Sequence, residues 1–225
     1  MRQFDAHHRL ALGPAAATAW ARRLESLPPA GEDLVVSAGE LCRERGVGYH
    51  LDGARLWNAS VATGVAMGDY GRLFDTVSVC FSKGLGAPVG TVLVSTADNI
   101  ARARIWRKRF GGGWRQAGML AAAALHALDH HVERLADDHA GARAFAEAVA
   151  ERSPAAVKVD SVATTIVVLD TGNQPAATVA QAAAAQGVRV SALGRSLVRA
   201  VTHLDVSTEQ CRQAGVVVGH ALVQR

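Results

Sequence analysis

Lys83 stands in "SKGLGAPVG", between two apolar, β-branched runs, Thr76–Phe81 and Thr91–Val94. An amine set in an apolar wall at the end of a strand is a candidate nucleophile toward a carbonyl. Asp52 and Arg55 occupy "HLDGAR", where a short apolar run gives way to a turn. Lys108 and Arg115 bracket "KRFGGGWR", a glycine-rich break between two helical stretches. Each has an ordinary reading by itself. Asp52 can cap the following helix, Lys83 can be a solvated lysine, and Arg115 can pair with a surface carboxylate.

Taken together they suggest more. Ligands of α/β sheets sit beyond the carboxyl ends of strands, and both Asp52 and Lys83 follow strand-like runs. A carboxylate beside a pyridine nitrogen keeps that nitrogen protonated, and a lysine forms the Schiff base. This is the pair that pyridoxal phosphate chemistry requires. Gly84 and Gly86 let the backbone approach a ring closely, and Pro88 fixes the exit from the turn.

The elements that must position these residues alternate. A helix is expected to end near Glu40–Arg45, stopped by Gly46, followed by a strand in "VGYHLDGA", a helix over Leu56–Ala66 and a strand over Thr76–Phe81. Thr91–Ser95 is a further strand and Asp98–Phe110 a helix. From Arg115 to Arg152 the Ala- and Leu-rich spacing predicts one or two long helices, bent near Asp129–His131. Strands are then expected in "VKVDSVATTIVVLD", "GVRVSA" and "LVRAVTHLDV", with helices over Ala176–Gln186 and Thr208–Leu222. The class is α/β. Three parts are expected: an atypical segment over 1–38, the C-terminal part of a large domain over 39–130, and a small α/β domain over 131–225.

Composition restricts the partners. With 225 residues, 49% hydrophobic and 20% charged, the chain has material for a real core. No apolar run reaches the roughly 20 residues of a membrane span, so no membrane partner is expected and the cytoplasm is the expected location. Three isolated cysteines indicate neither a disulfide framework nor a cysteine metal site. The net charge of +4 and the basic run "RARIWRKRF" come without a nucleic-acid motif, so no nucleic acid is expected. His126, His130, His131 and His139 have metal-like spacing but read as solvated or packed side chains, and no metal is expected.

"HLDGARLWNA", "DTVSVCFSKGLGAPVGTVLV", "RKRFGGGWRQAGMLAAAALHAL" and "VTHLDVS" together resemble the low-specificity L-threonine aldolases, from about Glu40 to the C-terminus. These belong to the threonine aldolase/aromatic amino acid β-eliminating lyase group of fold-type-I pyridoxal phosphate enzymes. The resemblance implies part of the large domain, a mostly parallel sheet with helices, followed by a small C-terminal α/β domain. It gives Lys83 the role of Schiff-base lysine, Asp52 that of carboxylate facing the pyridine nitrogen, and Arg55 a place near the 3-oxygen of the cofactor. Lys108 and Arg115 match basic residues near the cofactor phosphate, and Arg199 in "LVRAVTH" matches the arginine that clamps the substrate carboxylate. His203 reads as a support for the strand of Arg199.

The implied reaction is retro-aldol cleavage of threonine or allo-threonine to glycine and an aldehyde, by a homo-oligomer, dimer or tetramer, acting on a small amino acid. Family members carry a further N-terminal stretch with a phosphate-binding turn and a ring-stacking histidine, and residues 1–38 do not resemble it. The expectation from this is weak cofactor binding and turnover near background. The alternatives are a catalytically inactive remnant or oligomerisation partner, which only folds, self-associates or pairs with a full-length paralogue, and a pyridoxal phosphate-dependent β-eliminating lyase of the same superfamily.

Overall fold

Apolar residues spaced three and four apart, or alternating, set the elements in the computed structural model, which describes residues 32–223. The segment 1–31, and with it most of the atypical N-terminal part expected from sequence, lies outside the described residues. In chain order the elements are α1 (Glu32–Glu44), β1 (His50–Gly53), α2 (Leu56–Thr63), α3 (Met67–Gly71), β2 (Thr76–Cys80), β3 (Thr91–Ser95), α4 (Ala97–Arg109), α5 (Gly118–His130) and α6 (Leu135–Ala150). Then follow β4 (Ile166–Asp170), α7 (Ala176–Ala185), β5 (Ser191–Leu193), β6 (Leu197–Val201) and α8 (Thr208–Val223).

Strands β1, β2 and β3 form one three-stranded sheet in that order. The chain divides into two compact units, one of residues 32–53, Ala66–Ser78 and Leu93–Gly113, the other of Ala54–Val65, Val79–Val92 and 114–223. In the first unit Tyr49 stacks on Phe74 with ring centroids 4.5 Å apart. There the Asp75 carboxylate accepts from the Tyr49 amide at 2.7 Å, and Gly39 leaves room for the Tyr49 ring.

The second unit contains the larger core. Strands β4 and β5 both pair antiparallel with β6, so β6 is central. Alternation sends Val167, Leu169 and Val198 into the core at 0–1% exposure, while Val168, opposite Arg199, keeps 45% of its surface. Arg199 is thereby fixed on the outer face, between Val168 of β4 and Ser191 of β5. On the core side, α6 and α8 pack closely through small residues. Gly141 lies against Cys211, and a Cβ on Gly215 would come within 2.4 Å of the Phe145 carbonyl oxygen.

Four expectations need correction. The strand expected through "VKVDSVATTIVVLD" is confined to Ile166–Asp170, because 3-10 turns at Pro154–Ala156 and Val159–Ser161 occupy the approach. Pro154 starts the first turn, and the Ser161 hydroxyl ties the second to the Lys158 carbonyl at 2.7 Å. The strand expected in "GVRVSA" covers only Ser191–Leu193, the three residues that find partners on β6. The strand expected through "LVRAVTHLDV" stops at Val201. There the Thr202 hydroxyl turns to the Asp138 carbonyl at 2.6 Å and the chain bends away. The helix expected to reach Ala66 ends at Thr63, where Gly64 adopts a left-handed conformation with φ 72°.

The close approach at Gly215 gives a direct test. In an exposed helix, glycine to alanine is stabilising, but Gly215→Ala should destabilise the chain by about 1–3 kcal/mol through overpacking. Urea unfolding of the variant beside the parent chain measures it.

Candidate functional site

A β-branched strand that runs into glycines must turn, and the turn after β2 is closed within the second unit by its own backbone. Phe81 N–H donates to the Gly90 carbonyl at 3.0 Å, Ala87 N–H to that of Phe81 at 3.0 Å, and Gly86 N–H to that of Lys83 at 2.9 Å. Gly86 takes φ 71°, and a Cβ there would lie 2.4 Å from Leu204. At Gly84 a Cβ would lie 2.8 Å from Leu135 and 3.1 Å from the Asn58 side-chain oxygen. A side chain at either position would have to push a leucine methyl aside, the left-handed φ of Gly86 further favours glycine there, and Leu85 between them is buried.

Two histidines meet carbonyls of this turn. His203 Nε2 lies 3.0 Å from the Lys83 carbonyl oxygen, and His131 Nδ1 lies 2.6 Å from that of Leu85. The "VTHLDVS" and "SKGLGAP" segments, 120 residues apart at His203 and Lys83, are thus in direct contact. Behind the turn, buried Asn58 approaches His139 Nε2 at 3.2 Å. Asp138, also buried, receives Arg134 at 2.6 Å.

The Lys83 side chain is half-buried, and Nζ donates to Cys80 Sγ at 3.2 Å. Cys80 Sγ in turn lies 3.3 Å from the Thr91 hydroxyl. A thiol is a weak acceptor, so this contact holds the amine only loosely. None of the ion pairs among the described residues involves Lys83.

Arg199 is partly buried, and its Nε is buried with no hydrogen-bond partner among the described residues. Leaving a buried donor unmatched costs about 1–3 kcal/mol. An anionic ligand with two oxygens in a plane would meet that donor.

The remaining sequence candidates are placed as follows. Arg55 is the N-cap of α2 in the second unit and makes no side-chain cap there. Arg115 also belongs to the second unit and is exposed, beside Gln116, whose φ of 52° is left-handed. Asp52 lies in β1, and exposed Lys108 in the last turn of α4, both in the first unit. His126 packs against the rings of His130 and His131 at 4.4 and 5.3 Å. Sequence reading missed the grip of His203 and His131 on the lysine turn, and the contact of Cys80 with Lys83. Spacing offered one clue, since Cys80 and Lys83 are three residues apart.

Residues 29–172 match the Beta-eliminating lyase family. A low specificity L-threonine aldolase of Escherichia coli (strain K12) is 43% identical over 173 residues, 77% of this chain and 50% of that one. A low-specificity L-threonine aldolase of Candida albicans is 46% identical over 132 residues, 58% of this chain and 34% of that one. The chain thus spans half or less of the length of these relatives. The solved threonine aldolase of Leishmania major superposes with a TM-score of 0.67 at 18% identity, covering 84% of this chain and 56% of that one. The fold is therefore that of fold-type-I pyridoxal phosphate enzymes.

His139 supplies a pH test of the turn's support. Burial pushes its imidazole below the ordinary value of 6.5, against the opposing pull of Asp138. A lowered folded-state value means that the unfolded chain binds more protons, so stability rises with pH. This contribution is complete above about pH 6.5 and is lost as the pH falls below it. The thermal midpoint should drop between about pH 7 and pH 5, and His139→Gln should reduce that drop. Thermal denaturation of both chains at the two pH values checks it.

Proposed function

Since the chain belongs to the Beta-eliminating lyase family, we propose that it serves pyridoxal phosphate-dependent cleavage of β-hydroxy-α-amino acids of the threonine type, giving glycine and an aldehyde. The observation that carries this reading is the direct bond between the two segments holding the reactive side chains. His203, four residues past Arg199, reaches the carbonyl of Lys83 at 3.0 Å.

The residues fit the cofactor in chemistry. Lys83 has a primary amine whose contact among the described residues is a thiol rather than a carboxylate, and Arg199 has a buried donor without a partner. Once bound, the cofactor supplies a protonated ring that accepts the electron pair released at Cα. Lys83 is the amine that would hold it, and the turn's three internal backbone hydrogen bonds fix the backbone from which that side chain extends.

Arg199, on the central strand β6, would take the substrate carboxylate with its planar fork. Asp52 is assigned to hold the ring nitrogen proton, and Arg55 to lie near the 3-oxygen. Lys108 and Arg115 are assigned to the phosphate. The aldolase names of the curated relatives favour aldehyde release over ammonia release.

The reading is tested with the full chain, pyridoxal phosphate and borohydride. A reduced adduct should map to Lys83 and vanish in Lys83→Ala. Incubation with threonine or allo-threonine should release glycine and acetaldehyde at a low rate, in keeping with the weak turnover expected from the sequence. Arg199→Lys should lower kcat/KM by about 10- to 100-fold, mainly through KM, as loss of a charge-assisted pair implies. Ammonia as the product would point to β-elimination, and no adduct at Lys83 would overturn the cofactor assignment.

A further inference from the structure

The side chain of Lys83 is aimed by its own backbone, and that backbone is held at one oxygen. The Lys83 carbonyl accepts from Gly86 N–H at 2.9 Å inside the turn and faces His203 Nε2 at 3.0 Å from outside it. The other ring nitrogen of His203, Nδ1, lies 3.0 Å from the Asp205 carboxylate. Asp205 is two residues on in the sequence, and its chain is turned back by Val206 N–H donating to the His203 carbonyl at 3.1 Å. A carbonyl and a carboxylate can only accept, so the ring fills both contacts when each nitrogen carries a proton.

We propose that His203, oriented by Asp205, is a positioning residue for Lys83. By holding the Lys83 carbonyl it fixes the peptide that follows, and with it the direction of the Lys83 Cα–Cβ bond. The role rests on the reading of Lys83 as the cofactor lysine.

Three features support a positioning function over simple packing. The bond goes to the lysine itself and not to a neighbour. The adjoining Leu204 fills the space that Gly86 leaves by having no Cβ, so the turn and the His203 segment are matched in shape. A second histidine, His131, meets the Leu85 carbonyl at 2.6 Å, and the turn is therefore gripped at two alternate residues. His131 leaves Lys83 itself untouched, so His203 has the closer hold on the reactive side chain.

The end of β6 has an anchor separate from His203. Thr202, immediately before it, is buried and bonded to the Asp138 carbonyl at 2.6 Å and to the Thr165 carbonyl at 3.4 Å. That anchor already secures the end of β6 to α6. His203 is free of the anchoring task, and its ring is available to Lys83.

Three variants of the full chain test the role: His203→Leu, which removes both bonds; Asp205→Ala, at an exposed site, which removes only the orienting carboxylate; and His203→Gln, whose amide donates from the place of Nε2. Two quantities are read. One is hydrogen exchange of the 82–90 peptide without cofactor, where the Gly86 and Ala87 amides report on the turn. The other is the pyridoxal phosphate concentration giving half-maximal borohydride-trapped adduct at Lys83.

His203→Leu should speed exchange and raise that concentration by about 5- to 10-fold, the effect of losing one hydrogen bond. Asp205→Ala should fall between it and the parent, and His203→Gln should stay within about 2-fold of the parent. Faster exchange with unchanged trapping would overturn the positioning role and leave a packing role only. Unchanged exchange in both His203→Leu and Asp205→Ala would overturn the grip itself. If His203→Leu does not fold, Asp205→Ala against His203→Gln decides by the same two measurements. No adduct in the parent chain would overturn the cofactor reading and the positioning role with it, whereas equal adduct in every chain overturns the positioning role alone.

Discussion

The carbonyl oxygens of Lys83 and Leu85 are where the second unit converges. A glycine-rich turn has many conformations of similar energy, and a reactive lysine placed on one would point in many directions. Here the turn carries three backbone hydrogen bonds of its own and two histidine contacts from distant segments. Its two inner glycines are filled against Leu135, Asn58 and Leu204. Order in the turn is thus imposed from outside, by contacts that form only when the sheet and helices of the second unit have assembled.

Those contacts explain the arrangement of the supporting core. Helices α6 and α8 approach closely because glycine and alanine line their shared face, and α6 then offers Leu135 to the turn and the Asp138 carbonyl to Thr202. Thr202 fixes where β6 ends, which sets where His203 emerges. Asp138 is a buried carboxylate, costly to keep unless paired, and Arg134 one helical turn earlier meets it. The chain from α6 packing to the lysine carbonyl is continuous in space although it joins residues far apart in sequence.

Arg199 presents the opposite situation. Its position on the outer face of a central strand follows from alternation alone, since Val198 and Ala200 must face the core. Its buried Nε has no partner among the described residues, an exception to the rule that buried donors are matched. Sites that bind anions are where such exceptions are expected, and here the donor lies in the same unit as the half-buried amine of Lys83.

The amino-acid sequence by itself determined the alternation of strands and helices, the candidate residues and the α/β class. Periodicity and glycine placement are local properties, so helix α8 and strands β2 and β3 could be read within a residue or two. It also marked Lys83, because a cation between two β-branched runs is conspicuous. Strand limits at Ile166, Ser191 and Val201 were settled by tertiary structure, since a strand extends only as far as a neighbour offers partners. So was the contact of His203 with the Lys83 carbonyl, since sequence could place His203 near Arg199 but not against Lys83. A hydrogen bond across 120 residues depends on the end of β6 and the packing of Leu204 into Gly86, and neither is encoded in local spacing.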